Sequence, residues 1–430
     1  MVFRKLIFVL GHLIFKPKVL PYYFVFKKNE NKNLDQINAI KKRKIDDYIL
    51  KMQSRVSFFK GKQINYKNAP ITTKSDIKKN QRASFEFSGA YKVKSGQTGG
   101  STGEPLKYLM TDDYSARGLA LLYRGWSRGG YKLGDKVAVI AGGSLIKNNT
   151  TFKAKVINYI LNMDKYSSFG MTEKDMLDYI TYVTNSKAKF VRGYVTSIYE
   201  IANLILKYNL SIQVKAVFTT AEMLTKHQRQ VIEKAFNCSV FNTYGLNDGG
   251  VSAYECNEHN GFHIDVERSF LDVVDASGKP IVNEVGKIIA TSYTNFGTCF
   301  FKYDTGDLGV LSSEQCKCGS PYPLLKNIQG RITESITYNS KTVGSPVLTV
   351  LMSSFDVNMY QFIQVDESKL ILVIDKGATF NVSDEKAIRD SIKSNLGEVV
   401  LEIVYDKARF EKLANGKHIL VLNKMKKNEI

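Results

Sequence analysis

Cysteine is scarce. Five stand in 430 residues at irregular spacing, which excludes a disulfide framework and makes a reducing cytoplasm the expected compartment. Long apolar runs are absent too. Met1 to Phe26 is rich in Leu, Ile, Val, Phe and Tyr, but Arg4, Lys5, Lys16 and Lys18 interrupt it, and Pro17 and Pro21 break it again. Nothing there nears the ~20 apolar residues of a spanning helix, and no cleavable signal pattern opens the chain. This segment reads as a helix packed on the core. A second reading stays open, in which a basic, aromatic, amphipathic stretch lies on the anionic inner face of a membrane. Acidic residues are outnumbered, 41 against 61 Lys and Arg, for a formal charge of +20. Such an excess suits nucleic acid, an anionic membrane or phosphorylated ligands. The lysines run along the whole chain with no nucleic-acid module beside them, so nucleic acid is not an expected partner. Internal repeats and low-complexity linkers are also missing.

What is present is alternation. The length suggests two or three structural units. Asn33–Met52 reads as a charged amphipathic helix, and Thr111 or Asp112 caps another through Trp126. Strand patterns at Lys136–Ala141, Val214–Thr219 and Ser239–Thr243 alternate with helical ones at Ser197–Tyr208, capped by Thr196 or Ser197, and at Lys226–Phe236. This argues for an α/β architecture. From Gly261 to Leu311 the text turns β-rich, and after Arg331 it becomes a compact α+β set. The expected organisation is therefore a large domain over residues 1–331, of mixed sheets with packed helices plus a β-rich subdomain. A small C-terminal α+β domain over 332–430 follows it. Residues 1–30 stand apart as the packing or membrane-surface segment.

One loop carries chemistry. Thr98, Gly99, Gly100, Ser101, Thr102 and Gly103 combine backbone N–H groups that can converge on an anion with small hydroxyl donors. Glu104 and Pro105 follow where a Walker A loop needs Lys and then Ser or Thr, and the dinucleotide pattern of spaced glycines is absent. Four further segments keep company with it in order: Asn242 to Asp248, Lys302 to Leu308, Gln329 to Arg331, and Asn415 to Lys417.

Together the five segments resemble the motifs of the adenylate-forming superfamily, in particular its phenylacetate-CoA ligase branch and the CapK-like members tied to capsular polysaccharide. The resemblance runs from about Pro70 to the end. It implies an acid–thiol type ligase that uses ATP and Mg²⁺ to turn a carboxylic acid into an acyl- or aryl-adenylate, releasing pyrophosphate. Coenzyme A is one implied acceptor; an amino sugar or glycan is the alternative, and a nucleotide-binding scaffold without turnover is a third reading. By the same resemblance the glycine loop grips the β- and γ-phosphates. Ala221 and Glu222 flank the adenine with Thr243, Tyr244 and Gly245, and Asp307 takes the ribose hydroxyls. Arg331 marks the hinge on the ribose-phosphate side, and Lys417 reaches from a mobile lid to the α-phosphate and carboxylate. Asp248 stands where the family has a Mg²⁺-binding Glu, one methylene shorter. Residues Ala138–Leu145 and Thr243–Val251 mix small and polar types, which disfavours a long fatty acid. Dimers occur in the branch, so a homodimer is a further expectation.

Cys256 and His263, spaced C-x₆-H, and Cys316 and Cys318, spaced C-x-C, supply three thiols and an imidazole, enough for a closed tetrahedral Zn²⁺ site. The competing reading makes them small buried hydrophobes. His259 is an alternative to His263, and Cys238 and Cys299 read as core.

Overall fold

The computed structural model describes residues 2–80, 82–89, 91–97, 106–141, 152–167, 172–329, 335–338, 341–344, 348, 351–352, 354–412 and 418–425. The chain opens with two helices, α1 (Val2–Phe15) and α2 (Val19–Asn29), separated at Pro17. This corrects the expectation of a single N-terminal helix. α3 (Leu34–Arg55) begins with a capping box in which the Asn33 side chain accepts from the Gln36 N–H and the Gln36 side chain answers. Thr73 caps the short α4 (Lys74–Lys79) in the same way, with Asp76 as its partner. A hairpin follows, β1 (Val93–Gln97) against β2 (Lys107–Thr111), and Thr111 then caps α5 (Asp112–Ser127) as its sequence predicts.

The parallel half of the main sheet comes next: β3 (Val137–Ala141), α6 (Phe152–Leu161), β4 (Met163–Ser167), α7 (Glu173–Asn185), β5 (Phe190–Tyr194), α8 (Val195–Lys207), β6 (Ala216–Thr220), α9 (Lys226–Phe236) and β7 (Ser239–Gly245). Each strand pair here is bridged by helices, which is why the ladders are parallel. After Gly245 the connections shorten and the pairing turns antiparallel through β8 (Ser252–Tyr254), β9 (Phe262–Ile264), β10 (Phe270–Val274), β11 (Val285–Thr291), β12 (Tyr303–Ser312) and β13 (Leu324–Gln329). All join one eleven-stranded sheet, ordered β10-β11-β12-β13-β9-β8-β7-β6-β5-β3-β4. The expected β-rich stretch is thus the other half of the same sheet.

Beyond a small hairpin, β14 (Ser335–Tyr338) with β15 (Lys341–Gly344), the C-terminal residues form their own four-stranded sheet. It contains β16 (Val357–Gln364), β17 (Lys369–Lys376), β18 (Val400–Val404) and β19 (Val421–Asn423), with α10 (Val382–Leu396) between β17 and β18. Its core is separate from the others, built on Phe362, Leu370, Leu372, Ile374, Ile388 and Ile392.

One polar cluster ties the helical layer to the antiparallel strands. Arg124 of α5 is wholly buried and donates to Glu267 at 2.8 Å, to the Tyr322 hydroxyl at 2.7 Å and to Asp265. Asn29 of α2 and the Tyr322 hydroxyl also donate to Glu267, at 3.0 and 2.6 Å, and Ser252 donates to Asp265 at 2.6 Å. A buried guanidinium is tolerated only with its forks satisfied by carboxylates.

Candidate active site

At the C-terminal ends of β6 and β7 a cleft of about 480 Å³ opens, where parallel sheets commonly take ligands. Ala221, Glu222, Thr243, Tyr244, Gly245 and Asp307 all line it, although the sequence spreads them over three segments. Tyr360, His418, Ile419 and Leu420 of the C-terminal unit line it as well, so the cleft lies between the two sheets.

Tyr244 and Asp307 meet directly: the phenol donates to the Asp307 carboxylate at 2.8 Å. The placement of Asp307 has a local cause. Lys287 pairs with Leu308 and Ile289 with Asp304, so Thr305, Gly306 and Asp307 oppose the single residue Ile288. Such a bulge re-aims a side chain, and Gly306 provides the positive φ of 79° that it requires. Ala221 also sits in the left-handed region, at φ 71°. That conformation costs a non-glycine residue about 1–2 kcal/mol and tends to persist where function holds it.

Glu222 has a role the sequence did not disclose. α8 begins after Tyr194, which offers no side-chain cap, so the expected caps Thr196 and Ser197 lie inside the helix. The Glu222 carboxylate supplies the missing acceptor, taking the Thr196 N–H at 2.7 Å and its hydroxyl at 2.9 Å. An anion at a helix N-terminus is favoured by the exposed N–H groups and the helix dipole. The other Glu222 oxygen accepts the His418 N–H at 3.1 Å, a direct bond to the C-terminal unit. Lys412 adds an ion pair to Glu200 of α8 at 2.8 Å.

Behind the cleft, Arg229 of α9 donates from one nitrogen, Nη2, to both Glu255 carboxylate oxygens at 2.7 and 2.8 Å, and Glu255 accepts the Asn242 N–H at 2.7 Å. Burial opposes charge on Glu255, yet hydrogen bonds from His259 and Arg229 keep its carboxyl below the usual range. Asn242 in turn accepts from Thr219 at 3.0 Å and from the Thr243 N–H at 2.9 Å. The strand that presents Tyr244 is fixed by this chain of contacts.

Asp248 stands elsewhere. It is buried, accepts from the Tyr303 hydroxyl at 3.3 Å, and is not among the residues lining the cleft. The glycine loop 98–103, Arg331 and Lys417 lie outside the described residues, as do residues 142–145, half of the expected pocket wall Ala138–Leu145.

The four expected zinc donors converge. Ligand atoms of Cys256, His263, Cys316 and Cys318 lie within 4.8 Å of one another. A tetrahedral Zn²⁺ with ordinary bond lengths puts its sulfurs about 3.7 Å apart and a sulfur and nitrogen about 3.5 Å apart. The Cys256 and Cys316 sulfurs are 3.7 Å apart, and Cys318 Sγ lies 3.3 Å from His263 Nε2. His263 Nδ1 faces the Tyr322 carbonyl at 3.4 Å, the outer contact that leaves Nε2 as the ligand atom. The cluster is therefore compatible with zinc. It pins the β8–β9 turn to the β12–β13 loop. His259 is not part of it, contacting Arg229 and Glu255 instead. Cys299 is core, and Cys238 is half-buried at the edge of a second core, around Val217, Phe236 and Val240.

The fold, a large mixed α/β sheet with a small C-terminal α+β unit over a cleft, is that of the adenylate-forming ligases. It aligns with 2-hydroxyisobutyryl-CoA ligase in the postadenylation state, in complex with R3-HIB-AMP, over 92% of this chain and 91% of that one, at a TM-score of 0.67 and 15% identity. In sequence the chain is similar to Protein CapK of Staphylococcus aureus, 29% identical over 336 residues that span 75% of this chain and 73% of that protein. It is also 31% identical over 121 residues to phenylacetate-coenzyme A ligase of Thermus thermophilus, covering 27% of each. No family model matches the chain.

Proposed function

We propose that the chain joins a carboxylic acid to ATP, making an acyl-adenylate and releasing pyrophosphate. The observation that carries this reading is the convergence of Ala221–Glu222, Thr243–Gly245 and Asp307 on one cleft beneath His418. A carboxylate oxygen attacks the α-phosphorus, the bond to the bridging oxygen breaks, and pyrophosphate leaves with that electron pair. Charge accumulates on the phosphate oxygens, so positioning and cations carry most of the catalysis. In this reading Tyr244 lies against the adenine and Asp307 binds the ribose hydroxyls. The loop Thr98–Gly103 grips the outer phosphates, Arg331 meets the ribose-phosphate side, and Lys417 meets the α-phosphate. Asp248 offers the hard carboxylate oxygen that Mg²⁺ takes, but it is buried against Tyr303 outside the cleft lining, so it would have to turn toward the cleft to hold an ion that neutralises the departing pyrophosphate.

The segment from residue 332 acts as the lid, and Glu222 is the contact by which it reads the closed state. Similarity to CapK supports a place in surface-polysaccharide assembly. Coenzyme A is the first acceptor to test and an amino sugar the second, since the likeness to phenylacetate-coenzyme A ligase favours the thiol. Lys417→Ala tests the reading. It is expected to slow carboxylate-dependent ATP–pyrophosphate exchange by about a hundredfold, the usual cost of one lost transition-state donor, with ATP affinity kept within about threefold. Equal losses in both would move Lys417 to ground-state binding.

The zinc ion belongs to the same reading as a structural staple behind the cleft wall, with no ligand position left open for catalysis. Purified protein is expected to carry a single zinc by elemental analysis. Cys316→Ser should lose it and lower the melting temperature by several degrees. A metal-free wild type with an unchanged melting profile would reject the site.

A further inference from the structure

The N-terminal helix shows the solvent a face with no polar residue on it. Phe3, Leu6, Val9, Leu10, Leu13 and Ile14 share one arc of α1 and are exposed, Phe3 and Ile14 at 71%. The opposite arc is spent on packing. Phe8 is buried against Tyr123 with ring centroids 5.7 Å apart, and His12 bonds the Tyr123 hydroxyl at 3.2 Å. Gly11 lets Ile160 of α6 so close that a Cβ there would meet it at 2.0 Å. α6 extends the exposed surface with Phe152, at 82%, and Tyr159, on whose ring Arg4 rests at 3.8 Å. α2 adds Phe24 and Val25 on its own outer side. Folding therefore leaves this face uncovered, although it is the most apolar surface of the helix. Isolated exposed apolar residues need no explanation; a contiguous helix face does.

Charge decides what covers it. Between Met1 and Asn29 the chain has Arg4, Lys5, Lys16, Lys18, Lys27 and Lys28 and not one Asp or Glu; Lys5, Lys18 and Lys27 pair with Asp135, Asp113 and Glu30, so the excess of positive charge rests on Arg4, Lys16 and Lys28. A second copy of the chain docked on this face by a two-fold axis would bring like charges together. An anionic leaflet satisfies both properties at once, taking the apolar side chains at the acyl boundary and the cations among its phosphates. At 14 residues α1 is about 21 Å long, short of the ~30 Å hydrocarbon core, and no helix among the described residues is long and apolar enough to cross a membrane. Lying in the interface plane is the geometry that remains.

We propose that the outer face of α1 docks this protein on an anionic phospholipid surface. The inference is independent of the reaction catalysed. Flotation of the full chain is to be measured with vesicles of phosphatidylcholine alone and of phosphatidylcholine with phosphatidylglycerol in about equal parts. The wild type is expected to float with the anionic vesicles, at least about tenfold more than with the neutral ones, and to be released in part by high salt. Leu10→Glu with Ile14→Glu should cut binding about tenfold or more at an unchanged melting temperature. The single variant Ile14→Glu, at a site 71% exposed, should weaken binding in the same direction if the double variant folds poorly. A wild type that stays with neither vesicle, or variants that float like the wild type, would overturn the proposal. A wild-type dimer by light scattering that Ile14→Glu dissociates, with no flotation, would do so too and would make the face an interface between copies.

Discussion

Asp307→Ala is expected to weaken ATP binding by about two to three orders of magnitude, measured calorimetrically on folded protein. The carboxylate stands on a bulge held by Gly306, with Tyr244 donating to one oxygen at 2.8 Å. In the proposed complex it also takes both ribose hydroxyls, and hydrogen bonds to a charged acceptor contribute roughly 1.5–3 kcal/mol each. Alanine removes those acceptors and leaves the Tyr244 hydroxyl to water in the open cleft, so affinity falls while the fold survives. Asp307→Asn keeps the shape but loses the charge and half the acceptor capacity, and an intermediate loss of about tenfold should result. An alanine variant that binds ATP like the wild type would remove Asp307 from the nucleotide site.

Arg124→Met is expected to cost the fold about 3–5 kcal/mol, read as a large drop in the urea midpoint. The side chain is close in volume, so little of the loss is a cavity. What remains is Asp265 and Glu267, each about 1% exposed, with their shared cation gone. The sign with pH follows. Burial already holds the Asp265 carboxyl above its usual range with Arg124 in place, whereas Arg124 outweighs burial and holds Glu267 below it; without Arg124 Asp265 rises further and Glu267 rises above its unfolded value. The variant's deficit is then full at neutral pH and shrinks as pH falls and the carboxyls protonate. Combining Arg124→Met with Asp265→Asn and Glu267→Gln should recover part of the stability at pH 7. A deficit that stays the same with pH, or a triple variant no better than the single, would mean that packing rather than charge holds this junction.

Local signals placed much of the architecture. α9 spans Lys226–Phe236 in both sequence and structure, because Thr225 and Gln228 form a capping box ahead of an amphipathic run. α3 and α5 likewise carry their own caps. β4 escaped because it is the last strand of the sheet, and its Met-Asp-Lys-Tyr-Ser text has no apolar run. The cap of α8 was misassigned because its acceptor, Glu222, arrives from 26 residues away rather than from the preceding turn. The cleft was legible only as order along the chain: Tyr244 and Asp307 are 63 residues apart, and nothing local says that they touch. That Cys256, His263, Cys316 and Cys318 come together was legible for a different reason, since thiols and an imidazole in two close pairs form a donor set that a metal can gather. Arg124, Asp265 and Glu267 could not be found at all, because each alone reads as a surface charge.

The central claim is acid-dependent activation of ATP, and it meets its most direct test in isotope exchange between pyrophosphate and ATP. The protein is incubated with ATP, Mg²⁺ and labelled pyrophosphate against a panel of short aliphatic, hydroxy, amino and aromatic acids, with no acceptor present. The account predicts label entering ATP with at least one class of acid, negligible label without acid, and loss of the signal in Lys417→Ala. No exchange with any acid, from protein that binds ATP, would contradict it and leave a nucleotide-binding protein without this chemistry.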